Sequence, residues 1–218
     1  MAKENAGSDP SKFHIVAFDL DGTLVNEKSS WLKIHDYFGT VEKAAPNLAA
    51  YIDGHIDYEE FMRRDISLWP RRLHISQIKR ILSSFTLIPD ANEVVHQLKQ
   101  RGHKVVIISA GLDLLCDQVA SLLGVDGAVA NGLQTDRDGF LTGSGVLRVD
   151  LNRKDEALNV LLDKMHLSKR DCVCVGDSRY DVRFLENAGL SVAINSDEAL
   201  AKVARVRIHQ LSELLAFV

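Results

Sequence analysis

The most informative stretch of this sequence is Phe13-His14-Ile15-Val16-Ala17-Phe18-Asp19-Leu20-Asp21-Gly22-Thr23. Its first six residues are mostly apolar, which is typical of a buried strand. Asp19 and Asp21 follow at once, although burial and mutual repulsion both disfavour two carboxylates so placed. A cation or a reaction must offset that cost. Gly22 and Thr23 predict a turn whose N–H groups are free to hold an anion, so the stretch points to phosphoryl transfer.

The rest of the chain alternates between strand-like and helix-like patterns. Besides residues 13–18, the apolar runs predict strands at Lys104–Ser109, Asp171–Val175, Leu190–Ile194 and Val206–Ile208. Helical patterns fall at Ala91–Arg101, Leu112–Leu123, Lys154–Met165, Arg179–Ala188 and Asp197–Lys202. This alternation predicts an α/β fold with a doubly wound, Rossmann-like parallel sheet. A β-hairpin is predicted at Asn131–Asp136 and Phe140–Val149.

Residues 29–86 interrupt the alternation. They hold four amphipathic helical stretches, Ser30–Phe38, Val41–Ile52, Tyr58–Leu68 and Ser76–Phe85. A crossover of this length is better explained by a folded insertion than by a loop. We therefore predict a small helical cap subdomain at 29–86, inserted into a core domain made of residues 1–28 and 87–218.

Composition limits the classes of protein to consider. With 218 residues, 46% of them hydrophobic, the chain is long enough for one α/β domain with an insertion. A net charge of −4 argues against nucleic-acid binding, and no apolar run is long enough to span a membrane. Residues 1–12 are polar and do not look like a signal peptide. We expect a cytoplasmic monomer or homodimer.

Four polar segments lie at predicted strand ends or helix starts. They are Asp19 to Asp21, Ser109-Ala110-Gly111, Asn152-Arg153-Lys154, and Gly176-Asp177-Ser178 with Asp181. In an open α/β sheet, ligands bind at the carboxyl ends of the strands, so these segments are expected to meet in one crevice.

The residue types in these segments suit phosphoryl transfer. One aspartate can attack phosphorus, and a second can protonate the leaving alkoxide and then activate water. The Ser109 hydroxyl and nearby N–H groups can hold phosphoryl oxygens, and Lys154 can neutralise the nucleophile and the phosphoryl group together. Asp177 can bind a hard cation, of which Mg²⁺ fits best.

These segments, in this order, resemble the motifs of the haloacid dehalogenase superfamily, and within it the phosphoserine phosphatase-like branch. Asp19-Leu20-Asp21-Gly22-Thr23-Leu24-Val25 resembles the first motif, Ser109 the second, Lys154 the third, and Gly176-Asp177-Ser178 with Asp181 the fourth. The likeness extends from about residue 13 to residue 218, and the insertion resembles the small cap of that branch.

The resemblance implies a role for each matching residue. Asp19 would be the nucleophile and a metal ligand, and Asp21 the general acid/base, with its backbone carbonyl on the metal. Asp177 would be the third protein ligand, and Asp181 would support the metal site or the loop. The phosphate would be held by Thr23, Ser109, Ala110, Gly111 and Lys154. The implied cofactor is Mg²⁺, and the implied partner is a small phosphorylated metabolite.

Two positions depart from that branch. Lys28 stands where a glutamate would read the ammonium group of phosphoserine, and it would repel an amine. Asp65 stands where an arginine would read the substrate carboxylate, although Arg63 and Arg64 are adjacent. A shift of one residue in the alignment would instead place Glu27 and Arg64 at the two positions.

Several functions therefore stay open from the sequence. The first is a Mg²⁺-dependent phosphomonoesterase with an aspartyl-phosphate intermediate, similar to phosphoserine phosphatase. Lys28, Arg63 and Arg64 favour the alternative of an anionic substrate without an amine, such as phosphoglycolate. Tyr180 stands where the fourth motif of that branch commonly has a small amide, and we expect it to narrow the pocket. A phosphotransferase or mutase would use the same motifs. A binding protein on this fold is disfavoured, because it would not need both a nucleophile and an acid.

Overall fold

The computed structural model of the chain describes residues 13–186 and 188–218. The predictions made for residues 1–12, and for the one remaining position near the end of the expected helix Arg179–Ala188, lie outside the described residues. The described part of the chain forms a sheet flanked by helices, with a helical insertion after the first strand.

Seven strands are present in the described residues, and their bounds are β1 (Ile15–Phe18), β2 (Lys104–Leu112), β3 (Gly127–Thr135), β4 (Leu141–Val146), β5 (Cys172–Gly176), β6 (Leu190–Ile194) and β7 (Val206–Ile208). They form one sheet in the order β4-β3-β2-β1-β5-β6-β7, and every neighbouring pair except β3 with β4 is parallel. β1 lies at the centre and is buried at all four positions, as its apolar sequence requires. The expected doubly wound α/β sheet is confirmed.

The helices have the bounds α1 (Ser30–Phe38), α2 (Val41–Ile52), α3 (Tyr58–Ser67), α4 (Ile75–Leu82), α5 (Ala91–Gln100), α6 (Asp113–Leu123), α7 (Lys154–Lys164), α8 (Val182–Leu185) and α9 (Glu198–Val203). Side chains cap several of them: Ser29 accepts from the N–H of Leu32 at the start of α1, and Asp57 accepts from that of Glu60 at the start of α3. Across both described ranges, none of the helices combines the length and apolar character that crossing a membrane requires.

The hairpin is larger than its sequence indicates. β3 begins at Gly127, before the predicted Asn131, and its first half pairs in parallel with β2, for example Ala128 with Ile107. Its second half pairs antiparallel with β4, for example Leu133 with Gly145. β3 therefore joins the hairpin to the main sheet. Long-range pairing of this kind leaves no local signal in the sequence.

The ends of two predicted elements also differ. β2 continues to Leu112 instead of ending at Ser109, and its pairing with β3 is irregular after Ile108. The expected helix at 179–188 is a 3-10 turn, Arg179–Asp181, followed by the short α8. Asp181 explains that turn, because its carboxylate accepts a hydrogen bond from the backbone N–H of Ser178.

Two antiparallel chain segments join the helical insertion to the sheet. Asn26 donates its N–H to the carbonyl of Thr86 at 2.9 Å, and Ile88 donates to Leu24 at 2.8 Å. Helix α3 packs against β4, where the absence of a side chain at Gly145 makes room for Met62. Buried side chains of the insertion belong to the same hydrophobic cluster as the sheet.

Candidate active site

A cavity of about 710 Å³ lies at the carboxyl ends of the central strands, between the sheet and helices α1 to α3. Eleven of the residues singled out from the sequence line it: Asp19, Asp21, Lys28, Asp65, Ser109, Ala110, Gly111, Lys154, Asp177, Ser178 and Tyr180. Thr23, Arg63, Arg64 and Asp181 lie outside its lining. The four polar segments thus meet in one crevice, as parallel strands require.

Lys154 joins two of these segments through buried ion pairs. Its Nζ lies 2.9 Å from Oδ1 of Asp19 and 2.6 Å from Oδ1 of Asp181, and all three side chains are almost fully buried. Burial alone lowers the pKa of Lys154, but Asp181 and Asp19 outweigh it and raise the pKa above its usual value. Lys154 therefore stays charged beside Asp19.

Asp181 shapes the loop after β5. Its Oδ2 accepts hydrogen bonds from the backbone N–H groups of Asp177 and Ser178, each at 3.2 Å. A Cβ atom at Gly176 would lie 2.7 Å from the Asp181 carboxyl group, so glycine is needed there for Asp181 to pack. Its Oδ1 accepts a hydrogen bond from Lys154, so both carboxylate oxygens of Asp181 are hydrogen-bonded.

Asp177 approaches the first motif at Gly22. Gly22 has a φ of 82°, and a Cβ atom there would lie 2.4 Å from Oδ2 of Asp177. The Thr23 hydroxyl donates to Oδ1 of Asp177 at 3.3 Å, so Thr23 contacts a carboxylate and not the cavity. Burial, with a smaller effect from Asp181, raises the pKa of Asp177 to about 6.

Asp19, Asp177 and Asp181 each offer a carboxylate oxygen, and these oxygens lie within 4.8 Å of one another. Burial, followed by the charge of Asp181, raises the pKa of Asp19 well above its usual value, although Lys154 opposes the change. Three carboxylates face one ammonium group, so the cluster has an excess of negative charge. Oxygen ligands so arranged fit a hard divalent cation.

Asp21 has one oxygen free for chemistry. Its Oδ1 is buried and has no hydrogen-bond partner among the described residues. A Cβ atom at Gly111 would lie 2.5 Å from Oδ2 of Asp21, so only glycine allows this approach. Burial raises the pKa of Asp21 to about 7, against a hydrogen bond from the backbone of Ser30 that lowers it. Such a value suits a general acid/base near neutral pH.

The segment Ser109 to Gly111 is held from both sides. The N–H of Gly111 donates to the Ser109 hydroxyl oxygen at 2.9 Å, which leaves the hydroxyl proton of Ser109 available to an anion. The Ala110 carbonyl accepts from Tyr58 Oη at 2.9 Å, Asn131 Nδ2 at 2.9 Å and Trp31 Nε1 at 3.3 Å. The sequence pattern does not identify these three donors; only Asn131, a polar residue in a predicted strand, gives a signal.

Lys28 and Asp65, the two residues that depart from the pattern of the phosphoserine phosphatase-like branch, lie in different environments. Lys28 is exposed and lines the cavity. Asp65 is buried, with its oxygens 3.1 Å from Nε2 of His35 and 2.8 Å from Nδ2 of Asn47.

The neighbouring arginines do not line the cavity. Arg63 is exposed and Arg64 partly exposed, and each binds Glu60, at 2.6 Å and 2.7 Å. Tyr180 does line the cavity, and the Arg179 guanidinium lies 5.7 Å from its ring centre.

Comparisons with known proteins agree with this geometry. The family model of haloacid dehalogenase-like hydrolases matches residues 16–186. The phosphoserine phosphatase of Methanocaldococcus jannaschii is 30% identical over 212 residues, which cover 95% of this chain and 98% of that protein. The phosphoserine phosphatase of Albidiferax ferrireducens is 32% identical over 206 residues, or 91% of this chain and 85% of that one.

Solved structures give the same result. The structure of a phospho-aspartyl intermediate analogue of phosphoserine phosphatase has 29% sequence identity to this chain and a TM-score of 0.80. The match covers 94% of this chain and 99% of that one. A substrate-bound phosphoserine phosphatase complex has the same identity and TM-score, covering 94% and 98%. The resemblance inferred from the four motifs is confirmed: the chain belongs to the haloacid dehalogenase-like hydrolase family.

Proposed function

We propose that this protein is a Mg²⁺-dependent phosphomonoester hydrolase, similar to phosphoserine phosphatase, that acts on a small phosphorylated metabolite through an aspartyl phosphate on Asp19. One observation carries the proposal. The Asp19 carboxylate lies 2.9 Å from the Lys154 ammonium, inside a cluster of carboxylates at the end of β1. The likeness to phosphoserine phosphatases supports it.

The residues divide the reaction between them. Asp19 attacks phosphorus, and Lys154 offsets the repulsion between that carboxylate and the incoming phosphate. Ser109 donates its hydroxyl proton to a phosphoryl oxygen, and the backbone of Ala110 and Gly111 forms the same wall. Asp21 protonates the leaving alkoxide and then takes a proton from the water that hydrolyses the aspartyl phosphate.

The carboxylates of Asp19 and Asp177 and the backbone carbonyl of Asp21 are the ligands we assign to Mg²⁺. When bound, the cation supplies positive charge to the phosphoryl oxygens. Asp181 positions Lys154 and the loop after β5, although its oxygen lies close enough to the others to contribute to the cluster. Thr23 positions Asp177 through its hydroxyl.

Residues 29–86 form the cap of the crevice in this proposal, and the described residues within 13–28 and 87–218 form the core. Trp31 and Tyr58 reach from the cap to Ala110 in the core. Closure of the cap expels water and strengthens the charge interactions around the phosphate.

Phosphate release from purified protein tests the function. The substrates are p-nitrophenyl phosphate, O-phosphoserine and phosphoglycolate, each with Mg²⁺ and with a chelator, and Asp19→Asn is the inactive control. Release that needs both Mg²⁺ and Asp19 is expected. Absence of release from every phosphomonoester would contradict the proposal, and transfer to an added alcohol without net hydrolysis would indicate a phosphotransferase.

A further inference from the structure

The part of the cavity wall that comes from the cap is mostly apolar. Helices α1, α2 and α3 contribute seven apolar side chains to it: Trp31, Leu32, Val41, Ala44, Ala45, Leu48 and Phe61. The catalytic carboxylates and Lys154 come from the other side, from strand ends and the start of α7. A phosphate at Asp19 therefore has its alcohol group directed among apolar side chains of the cap.

The aromatic side chains of α1 and α3 contribute apolar surface to this part of the cavity. Trp31 and Tyr58 both line the cavity, but their polar atoms donate to the Ala110 carbonyl. Phe61 packs against both, with ring centres 5.9 Å from Trp31 and 5.0 Å from Tyr58. These polar atoms are already bonded, so the three rings act towards a substrate as apolar surface.

The polar side chains within the cap wall are bonded to one another. His35 contacts Thr40 through Nδ1 at 2.8 Å and Asp65 through Nε2 at 3.1 Å, and Asn47 donates to the second oxygen of Asp65. His35 and Asp65 are both only 2% exposed. Binding a substrate amine or carboxylate to this group would break buried hydrogen bonds, which is costly.

The cationic side chains that could select an acidic substrate either lie outside the cavity or are exposed to solvent. Arg63 and Arg64 point their charge to Glu60 and lie outside the cavity lining. Lys28 and Arg179 do line it, but both are exposed to solvent, where an ion pair contributes little.

Large apolar side chains are left exposed at the cavity. Leu32 is 43% exposed and Val41 37%, and both belong to the lining. The volume of about 710 Å³ falls within the roughly 300–1,000 Å³ usual for sites that hold drug-sized ligands. Both observations fit an occupant that is larger than a serine side chain and that covers Leu32 and Val41.

We propose that the preferred substrate is a phosphomonoester of an apolar alcohol, aliphatic or aromatic, that is larger than serine and packs between helices α1, α2 and α3. This inference rests on the proposed phosphatase function and deepens it. The phosphate is held by Lys154 and Ser109, and selectivity comes from burial of hydrocarbon against the cap instead of from an ammonium or carboxylate contact.

A homologous series of alkyl phosphates tests the inference, because the leaving alkoxides differ little in reactivity. We expect kcat/KM to rise from ethyl to butyl to hexyl phosphate by about two- to fourfold for each buried methylene. Hexyl phosphate and 2-phenylethyl phosphate should both exceed O-phosphoserine and phosphoglycolate by roughly tenfold or more. p-Nitrophenyl phosphate serves as the positive control for the phosphatase reaction.

Two leucine variants separate burial from chemistry. Leu32→Asn should reduce the gain from ethyl to hexyl phosphate, whereas Leu122→Asn, at a leucine that is 58% exposed and lies outside the cavity, should preserve it. If kcat/KM does not rise along the alkyl series, or if it is highest for O-phosphoserine or phosphoglycolate, the inference is wrong although the phosphatase function still holds. If p-nitrophenyl phosphate and all other esters fail, the proposed function and the inference both fall.

Discussion

The Tyr58 hydroxyl donates a hydrogen bond to the Ala110 carbonyl oxygen at 2.9 Å, and so links helix α3 of the insertion to strand β2 of the sheet. Ala110 lies between Ser109 and Gly111, which line the cavity beside Asp19 and Asp21. The packing of the helical insertion and the conformation of the segment from Ser109 to Gly111 are therefore linked through one carbonyl group.

Replacing Tyr58 by phenylalanine tests this link. Tyr58→Phe removes one buried hydrogen bond, and Asn131 and Trp31 still donate to Ala110. We expect a loss of about 0.5–1.5 kcal/mol in the free energy of unfolding, measured in urea, together with a lower kcat/KM. Tyr37→Phe is the matched control, because Tyr37 is 61% exposed. Equal stability of the two variants would show that the link contributes nothing.

Replacing Lys154 tests the buried ion pairs. Lys154→Met leaves Asp19 and Asp181 without their ammonium partner, so hydrolysis should be abolished and the protein destabilised by about 3–5 kcal/mol. Activity and denaturant midpoint are the two readouts. Lys164→Met, on the exposed side of the same helix, is the control. An active, stable Lys154→Met protein would show that these pairs have no such role.

Replacing Gly22 tests whether the close approach of Asp177 to this residue matters for Mg²⁺ binding. Gly22→Ala would place a Cβ atom 2.4 Å from Oδ2 of Asp177, so we expect weaker Mg²⁺ binding in calorimetric titrations and a lower kcat. Gly54→Ala is a control for backbone strain, because Gly54 has a φ of 74° and a Cβ atom added there would meet no other atom within 4 Å. If the two variants bind Mg²⁺ equally well, the contact with Asp177 is unimportant.

Asp21→Asn tests the acid/base assignment. The amide keeps the size of the side chain but cannot transfer the proton, so we expect kcat to fall by about 10²–10⁴-fold with little change in stability. Asp163→Asn, at an exposed position, provides the control. A kcat within a few-fold of the unmodified protein would remove Asp21 from the mechanism.

The sequence predicted the parts of the fold that depend on local pattern. β6 has the predicted bounds and β1 lies within its predicted range, because nearly continuous apolar runs identify buried parallel strands. β7 also has its predicted bounds, although it is an edge strand whose Arg207 is exposed. The convergence of Asp19, Lys154 and Asp177 also followed from their positions at predicted strand ends and at a helix start.

Features that depend on distant contacts could not be predicted. The pairing of β3 with both β2 and β4 depends on the position of the whole hairpin. The bond between His35 and Asp65 joins two helices, and neither residue type indicates a partner by itself. The resemblance likewise implied that Thr23 binds the phosphate, but its hydroxyl donates to Asp177, which lies far along the chain.

The most direct test of the proposed chemistry is to trap the phosphorylated enzyme. Protein turning over p-nitrophenyl phosphate is quenched in acid, digested and analysed by mass spectrometry, with Asp19→Asn as the control. We predict the added mass of one phosphoryl group on the peptide that contains Asp19, at that residue, and no adduct and no turnover in Asp19→Asn. Turnover by Asp19→Asn at a rate near that of the unmodified protein, or a phosphoryl group on another residue, would contradict the account.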